Sequence, residues 1–270
     1  MSGAAHASLI GGQGFIGRHL QAYLLESGWS CYVAEREDAA LYQADLGHVF
    51  YCAGLTADFR QRPYATVEAH VQLLASILQQ SRFTTLTYLS STRVYAGATA
   101  TDENASLAVR SHEPGDLYNL SKLLGESLCL SSQRPVRVVR LSNVYGENMS
   151  GQNFLSEVLA AAKQGSVRFR SAPHSQKDYI AVQDVVHYLP LIALQDKSGI
   201  YNLASGRNLS NAEIAASLRD QGVDCDFEKD APVITFPVID IAKLRAEFGA
   251  PQHDLANDLP QLYSHYCETL

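Results

Sequence analysis

The sequence predicts an α/β chain whose core is a parallel sheet with crossover helices. Short runs rich in β-branched and aromatic residues alternate with segments of helical periodicity from residue 7 to residue 141. A glycine-rich turn at residues 11–17 lies between the first run and the first helical segment. After Asn143 the segments become shorter and more polar and are broken by Gly and Pro, which predicts a smaller second lobe.

Hydrophobic periodicity defines the elements of the large lobe. Apolar runs predict strands, and the run VRVVRL at residues 136–141 is of the type that is buried on both faces. Apolar residues at three- and four-residue intervals predict helices, as at Val67, Val71, Leu74 and Leu78 after Pro63. We predict strands at 7–10, 30–35, 48–53, 85–90 and 136–141, helices at 15–27, after Pro63 and at 117–130, and a strand continuing into a helix at 180–194 that returns to the large sheet.

One interval is too short for the regular pattern. Twelve residues, 36–47, separate Glu35 from His48, where the next strand is predicted to begin. A crossover between parallel strands takes about a dozen residues or more. We therefore expect one strand and one helix of the regular pattern to be missing here.

The composition excludes several classes of protein. With 270 residues, 46% hydrophobic and 18% charged, the chain can bury one large core or two smaller ones. The 28 acidic and 21 basic residues give a net charge of −7 without a long run of like charges, so we expect neither nucleic acid nor a membrane as a partner. No apolar window is long enough to span a bilayer and the first residues carry no basic region, so we expect a cytoplasmic chain without a signal peptide.

The cysteines do not predict a disulfide or a metal site. They are odd in number, widely spaced and without a C-x-x-C pair, so we expect reduced thiols and no metal. They are Cys31, Cys52, Cys129, Cys225 and Cys267.

The glycine-rich turn predicts a dinucleotide site. Its glycines permit a tight turn, the approach of backbone N–H groups to a pyrophosphate, and close packing of the helix on the sheet, while the helix N-terminus favours negative charge. Glu35 follows Gly11 by 24 residues at the end of the second predicted strand, as expected for a residue that binds ribose. We predict NAD or NADP as cofactor, held at this turn by Gly11, Gly14, Phe15, Ile16 and Gly17.

The end of the second strand leaves the choice between the two cofactors open. Glu35 can accept hydrogen bonds from the ribose hydroxyls, and its carboxylate repels a 2′-phosphate, which favours NAD. Arg36 can pair with that phosphate, which favours NADP, or it can be a solvated loop arginine.

Tyr118 and Lys122 form a candidate acid/base pair. They are four residues apart on a predicted helix, so they lie on one face and the amine can lower the pKa of the phenol. Such pairs also occur by chance. The hydroxyls of Ser91 and Thr92 follow a strand at the edge where open α/β sheets bind ligands, so Ser91 can hydrogen-bond the oxygen that Tyr118 protonates. The alternative is that these hydroxyls cap a helix or a polar turn.

The motifs resemble those of a known family. The chain carries the motifs GGQGFIG, Ala53-Gly54 after a β-run, SSTRVY, YNLSK, LSNVYG, KDYIAVQDV and YNLASG. Their order and approximate spacing resemble those of extended short-chain dehydrogenase/reductases of the nucleotide-sugar epimerase/dehydratase branch. The resemblance covers Leu9 to about Ser217. It implies a Rossmann-type, doubly wound parallel sheet with a small C-terminal substrate-binding domain, NAD or NADP as cofactor, and a site in the cleft between the two parts.

The resemblance also implies roles for individual residues. Tyr118 matches the catalytic acid or base, Lys122 the residue that contacts the nicotinamide ribose, and Ser91 the residue that orients the reacting hydroxyl or carbonyl. Ala53 and Gly54 join the glycine-rich turn at the cofactor. The implied substrate contacts are Ser91, Thr92, Arg93, Asn143 and Lys177. In this set, a lysine stands at 177 where relatives usually have arginine, so bidentate binding of phosphate is lost.

Arg93 narrows the expected reaction. Dehydratases of this branch carry an acidic pair where this chain has Thr92 and Arg93, and bifunctional epimerase-reductases resembling GDP-fucose synthase carry a cysteine where Arg93 stands. An arginine cannot take the catalytic role of the acidic pair or of the cysteine, so 4,6-dehydration and C3/C5 epimerisation are disfavoured. Arg93 itself has two interpretations, a contact to a substrate phosphate or carboxylate and a structural ion pair at the sheet edge.

The resemblance sets the expected organisation of the chain. Residues 1–145 and 176–204 are expected to form the cofactor-binding lobe, and residues 146–175 and 205–270 the substrate-binding lobe. Asp45-Leu46 is expected to be the remnant of an Asp-hydrophobic pair that relatives place against the adenine. The helices near 67–82 and 117–130 match those that pair between subunits in relatives, so we expect a homodimer; packing on the home sheet is the alternative.

The expected activity is that of an NAD(P)-dependent oxidoreductase or epimerase acting on a nucleotide-activated sugar. The reaction is C4 epimerisation or 4-keto reduction, with hydride transfer coupled to proton transfer at Tyr118. Two alternatives stay open, a catalytically silent dinucleotide-binding regulator and a reductase of a non-sugar carbonyl. The intact Ser91, Tyr118 and Lys122 disfavour the first, and Asn143 with Lys177 disfavours the second.

Overall fold

The computed structural model describes residues 5–35, 38–56, 58–149 and 153–268. Its strands are β1 (His6–Ile10), β2 (Ser30–Ala34), β3 (His48–Tyr51), β4 (Thr85–Ser91), β5 (Val136–Leu141), β6 (Asn143–Tyr145), β7 (Ser166–Phe169), β8 (Gln176–Ala181), β9 (Gly199–Leu203), β10 (Asn208–Ser210) and β11 (Asp224–Phe227). Its α-helices are α1 (Phe15–Glu26), α2 (Ala40–Gln43), α3 (Pro63–Val67), α4 (Leu73–Gln80), α5 (Leu117–Ser131), α6 (Phe154–Lys163), α7 (Val182–Ala193), α8 (Asn211–Asp220), α9 (Ala242–Phe248) and α10 (Leu255–Glu268). A π-helical turn (Glu68–Gln72) joins α3 to α4, and short 3₁₀ turns cover Thr92–Tyr95 and Pro114–Asp116.

The large sheet confirms the predicted doubly wound fold. Its six strands run in the order β2-β1-β3-β4-β5-β9, and all neighbours are parallel. Phe50 of β3 packs in the core that contains α1 and α7, whereas Val49 and Tyr51 pack in the core that contains α4 and Cys129 of α5. Helices therefore cover both faces, which explains why these strands are almost continuously apolar.

The strand order positions the site. The chain leaves β1 for β2 on one side and returns to β3 on the other side, so the loops that follow β1 and β3 diverge. In open α/β sheets, ligands bind at the carboxyl ends of the strands at such a switch point.

The interval after Glu35 is shortened as predicted. In the described part of the chain, β2 is the outermost strand, and only the one-turn helix α2 lies between β2 and β3. The interpretation of Asp45-Leu46 as an adenine contact is wrong. These residues precede β3 at the amino ends of the strands, where the Leu46 N–H donates to the Arg82 carbonyl at 2.9 Å and Asp45 accepts from the Gly47 N–H at 3.1 Å. This edge is opposite to the one that binds ligands in such folds.

The segment at residues 180–194 returns to the large sheet through its helix, as predicted, but not through its strand. A strand does continue into a helix, and α7 packs against α1 and β4 of the large layer. The strand β8, however, pairs with β6 and β10 in a separate three-stranded sheet, and β9 is the sixth strand of the large sheet. Periodicity identifies a strand but does not identify its partner.

The second lobe has its own core. It is formed by α6, α8 and α10 together with the parallel pair β7–β11 and residues of β8. The expected division of the chain remains a prediction, but Ile239, Ile241 and Leu244 lie in the core of the large lobe rather than with the rest of residues 205–270. Across the described part of the chain, no helix combines the length and the apolarity needed to cross a membrane.

Candidate active site

A cleft of about 650 Å³ lies between the carboxyl ends of the large sheet and residues of the smaller lobe. It brings together nearly all the predicted site residues. They are Gly11, Gly14, Phe15, Ile16, Gly17, Ala53, Gly54, Ser91, Thr92, Arg93, Tyr118, Lys122, Asn143 and Lys177. The motifs that are far apart in the sequence therefore form one site.

Glu35 and Arg36 are not part of this lining. Glu35 directly follows β2 and is exposed, but it is not among the residues that line the cleft. Arg36 lies outside the described residues. The roles assigned to both at the ribose stay predictions.

The turn after β1 has the shape required for a dinucleotide. Gly11 has a φ of +78°, and a Cβ there would lie 2.6 Å from the backbone nitrogen of Ala53, so the loops after β1 and β3 touch. Gly14 caps α1 without a side-chain hydrogen bond, and the first turn of α1 contains no acidic residue. The first N–H groups of a helix lack partners within it and carry partial positive charge. The chain therefore fits a pyrophosphate at this point.

Tyr118, Ser91 and Lys122 meet in the cleft. Ser91 lies close enough to the Tyr118 phenol to lower its pKa, and the Lys122 Nζ lies 5.9 Å from the centre of the Tyr118 ring. Lys122 donates one hydrogen bond to the Leu89 carbonyl at 2.9 Å, which leaves donors for the hydroxyls of a ribose. Ser91 also accepts from the Arg93 backbone N–H at 3.2 Å, so it caps the 3₁₀ turn as well.

Burial controls the protonation of both groups. It raises the pKa of Tyr118, while the Ser91 hydroxyl and the Arg93 guanidinium lower this pKa by less. The expectation that Lys122 lowers the pKa of the phenol is therefore not met, since Ser91 and Arg93 have that effect. Burial also lowers the pKa of Lys122 to about 8, against the opposing influence of Glu126. Tyr118 accordingly holds its proton at neutral pH, which suits donation to a carbonyl oxygen.

His70 lies against this group, although the sequence patterns do not single it out as functional. It is fully buried, and its Nε2 accepts from the Leu55 N–H at 3.2 Å. Its Nδ1 is 2.8 Å from the Ser121 Oγ, which donates to the Tyr118 carbonyl at 2.9 Å. Because Nε2 is an acceptor, Nδ1 carries the proton and donates to Ser121. The neutral ring thus connects the loop after β3 to α5.

A π-helical turn presents His70 to α5. The extra residue of such a turn displaces backbone carbonyls from the regular α-helical ladder. The Ala69 carbonyl accepts from the Tyr51 phenol at 2.5 Å and the His70 carbonyl accepts from the Tyr88 phenol at 3.3 Å. The available signal in the sequence was a histidine at a buried position of the helical stripe that contains Leu74 and Ile77.

We expect His70 to make the protein sensitive to acid. Burial and the nearby Lys122 lower the pKa of His70 to about 2, so the folded protein holds this residue neutral while the unfolded chain binds a proton below pH 6.5. Stability therefore falls as pH falls, by about 3 kcal/mol from this residue between pH 7 and pH 4. Urea unfolding across this range should show a smaller loss for His70→Asn. Parallel pH profiles for the two proteins would contradict the assignment.

A buried ion pair fixes α5 to the sheet behind Ser91. Arg140 donates to both carboxylate oxygens of Glu126, at 2.7 Å from Nη2 to Oε2 and 3.0 Å from Nε to Oε1. Ser90 donates to Glu126 at 2.5 Å, and Arg140 donates to the Tyr95 phenol at 2.7 Å. Both charged side chains are almost fully buried. The network holds the strand that carries Ser91 against the helix that carries Tyr118.

The three-stranded sheet β10-β8-β6 supplies another wall of the cleft. Asn143 is exposed in the cleft and donates from Nδ2 to the Asp178 carbonyl at 2.7 Å. The Asp178 carboxylate accepts from the backbone N–H groups of Ser205, Gly206 and Arg207, so it holds the loop after β9. Two further wall residues without a signal in the sequence are Phe236 and Pro237.

Comparison with known proteins identifies relatives of the chain. The family model described as NAD dependent epimerase/dehydratase family matches residues 7–204. GDP-6-deoxy-D-mannose reductase of Pseudomonas aeruginosa strain PAO1 is 28% identical over 249 residues, which cover 78% of each protein.

Solved structures share the fold. MoeE5 in complex with UDP-glucuronic acid and NAD matches with a TM-score of 0.82 at 21% identity, covering 98% of this chain and 100% of that one. RMD from Pseudomonas aeruginosa complexed with NADPH matches with a TM-score of 0.77 at 22% identity, covering 97% of this chain and 100% of that one. The family match confirms the expected nicotinamide dinucleotide cofactor. Because the family model spans well over half of the sequence and the fold agrees, the chain belongs to the NAD dependent epimerase/dehydratase family.

Proposed function

We propose that the protein acts on a nucleotide-activated sugar with NAD or NADP, by C4 epimerisation or by reduction of a 4-keto sugar. The observation that supports this proposal is the convergence of Ser91, Tyr118 and Lys122 with the glycine-rich turn in one cleft of about 650 Å³. The nicotinamide ring, when bound, supplies hydride transfer at the sugar carbon.

The side chains of this site have distinct proposed roles. Tyr118 exchanges a proton with the sugar oxygen, and the neighbouring Ser91 hydroxyl hydrogen-bonds that oxygen and orients it. Lys122, anchored at the Leu89 carbonyl, offers its remaining N–H groups to the ribose hydroxyls. Asn143 is proposed to face the diphosphate, and Lys177, whose pKa is lowered by the nearby Arg93, to face the boundary between the diphosphate and the sugar. A silent regulator would not require Ser91, Tyr118 and Lys122 to line one cleft, and an apolar carbonyl substrate would not require cations there.

Two observations favour different reactions. The curated relative is a GDP-6-deoxy-D-mannose reductase, which favours 4-keto reduction. The exposed carboxylate of Glu35 at the end of β2 favours NAD, and a tightly held NAD suits epimerisation. Incubation with paired C4-epimeric nucleotide sugars, followed by NMR, detects epimerisation. Loss of reduced nicotinamide with a 4-keto nucleotide sugar detects reduction. Turnover in neither assay would contradict the proposal.

We expect Glu35 to make the protein selective for NAD. A ligand at a hundred times its dissociation constant stabilises by about 2.7 kcal/mol. Thermal unfolding should therefore shift upwards by several degrees with NAD or NADH, and less with NADP or NADPH. Glu35→Ser should narrow the difference, whereas Glu26→Gln, an exposed acid at the end of α1, should not. Selective stabilisation by NADPH would instead assign the ribose site to Arg36 and favour 4-keto reduction.

We propose that the protein is a homodimer through α5 and the helix formed by α3 and the π-helical turn. An apolar groove of about 480 Å³ lies between these helices, lined by Val67, Val71, Leu117, Leu120, Ser121, Leu123 and Leu124. Leu124 is 50% exposed on this face. A second copy related by a two-fold axis would cover the same surface on both subunits.

We expect Leu124→Glu to convert the dimer into a monomer, because each subunit would bury an unpaired carboxylate. Sedimentation velocity measures the change directly. Leu194→Glu is the matched control, since Leu194 is similarly exposed at 53% but follows α7, outside the groove. A monomeric unmodified protein, or a variant that stays dimeric, would contradict the proposed interface.

A further inference from the structure

Besides Lys122, two cationic side chains line the cleft without an ion-pair partner in the described part of the chain. Arg93 donates one hydrogen bond, from Nη2 to the Gly115 carbonyl at 3.3 Å. The Lys177 Nζ lies 4.8 Å from the centre of the Phe154 ring. Among the described residues, neither cation has a carboxylate within 4.0 Å. The structural ion pair considered for Arg93 is therefore not formed with any residue that the structure describes.

Arg93 lies at the reacting end of the cleft. Its Cζ is 5.5 Å from the centre of the Tyr118 ring and 5.1 Å from the centre of the Phe59 ring, so the guanidinium is held against two aromatic rings. Its backbone N–H is fixed by the side chain of Ser91. A guanidinium beside the Tyr118 phenol faces the sugar that exchanges a proton with this phenol, rather than the distant nucleotide.

The electrostatic environment favours an anion here. Burial and the neighbouring Arg93 lower the pKa of Lys177, and burial and Arg60 lower the pKa of Arg93. Tyr118 and Asp116 oppose this lowering of the Arg93 pKa only in part. Unpaired cations that are partly removed from water and repel one another are stabilised when an anion binds between them. Most of the N–H donors of Arg93 remain available, in the fork geometry that matches a carboxylate.

We propose that Arg93, supported by the field of Lys177, binds a carboxylate carried by the sugar, so that the substrate is a nucleotide-activated uronic acid. This inference rests on the proposed function, since it places the sugar at Tyr118. A neutral hexose would leave the guanidinium without a partner, whereas a carboxylate at C6 would pair with it through two parallel hydrogen bonds. The proposal thus concerns specificity for the sugar and leaves the reaction at C4 unchanged.

The test compares nucleotide sugars that differ only at C6. Isothermal titration calorimetry on the protein saturated with NAD measures the dissociation constants of UDP-glucuronic acid against UDP-glucose and of GDP-mannuronic acid against GDP-mannose. For the pair whose nucleotide base the protein accepts, the uronic acid should bind at least about tenfold more tightly than the neutral sugar. Arg93→Gln should reduce this preference to about twofold or less, with a small change for the neutral sugar. Arg110→Gln removes an exposed charge outside the cleft lining and should leave the preference intact.

Each other outcome has a defined meaning. Equal binding of acid and neutral sugar would overturn the carboxylate subsite while leaving the proposed function in place. If Arg93→Gln weakened the binding of the uronic acid and of the neutral sugar equally, Arg93 would be assigned to the diphosphate, and the carboxylate subsite would also be overturned. Binding of none of the four compounds would overturn both proposals. Circular dichroism checks that the variants fold, and Arg93→Lys, which keeps the charge but loses the fork, should also reduce the preference.

Discussion

Tyr118→Phe should lower turnover by about 10²- to 10⁴-fold and leave binding of the nucleotide sugar nearly unchanged. The substitution removes the oxygen that is proposed to exchange a proton with the substrate, and it keeps the buried ring that packs at 5.5 Å from Phe59 and 5.4 Å from His70. The fold and the walls of the cleft therefore remain. Single-turnover kinetics with the accepted nucleotide sugar measures the loss at the chemical step, and calorimetry measures binding.

The exposed Tyr42 on α2 provides the matched control, because Tyr42→Phe removes a phenol oxygen outside the cleft. It should leave both turnover and binding unchanged. A reduction of less than about tenfold for Tyr118→Phe would show that another group transfers the proton. Loss of binding together with turnover would instead indicate that the phenol positions the substrate.

Glu126→Leu should lower the free energy of unfolding by about 3–5 kcal/mol, because Arg140 would remain buried without its counter-charge. Arg140 makes its hydrogen bonds to Glu126 and to the Tyr95 phenol in a region almost closed to water. Urea unfolding monitored by circular dichroism measures the change. Removing Arg140 as well, in the double variant with Arg140→Met, should restore part of the loss, since no buried charge remains unpaired.

The exposed Glu26 at the end of α1 is the control for this series. Glu26→Leu should change the free energy of unfolding by about 0.5 kcal/mol or less. A similarly small effect for Glu126→Leu, or a double variant that is less stable than the single one, would show that the pair does not act as a coupled unit.

The sequence determined the elements that depend on local information. The strand predicted at 136–141 is β5 (Val136–Leu141), and the helix predicted at 117–130 is α5 (Leu117–Ser131). Periodicity is a property of neighbouring residues, and a glycine such as Gly11, with a φ of +78°, marks a backbone conformation that few other residues adopt. The order of the motifs also predicts that Ser91, Tyr118 and Lys122 lie at one edge, because Ser91 ends β4 and the crossover helix α5, which carries the other two near its start, begins on the carboxyl side of the sheet.

Only the tertiary structure decided which distant residues meet, and this is why the remaining features could not be predicted. The partner of β8 is set by packing in the second lobe, and Asp45-Leu46 is placed at the amino edge by the start of β3. His70 becomes part of the site through Ser121, which is 51 residues away in the sequence. Arg93 is left without an ion-pair partner among the described residues through the arrangement of three separate segments. Hydrogen bonding, burial and the pKa values that follow from them depend on contacts across the fold, whereas periodicity records only which face of each element is buried.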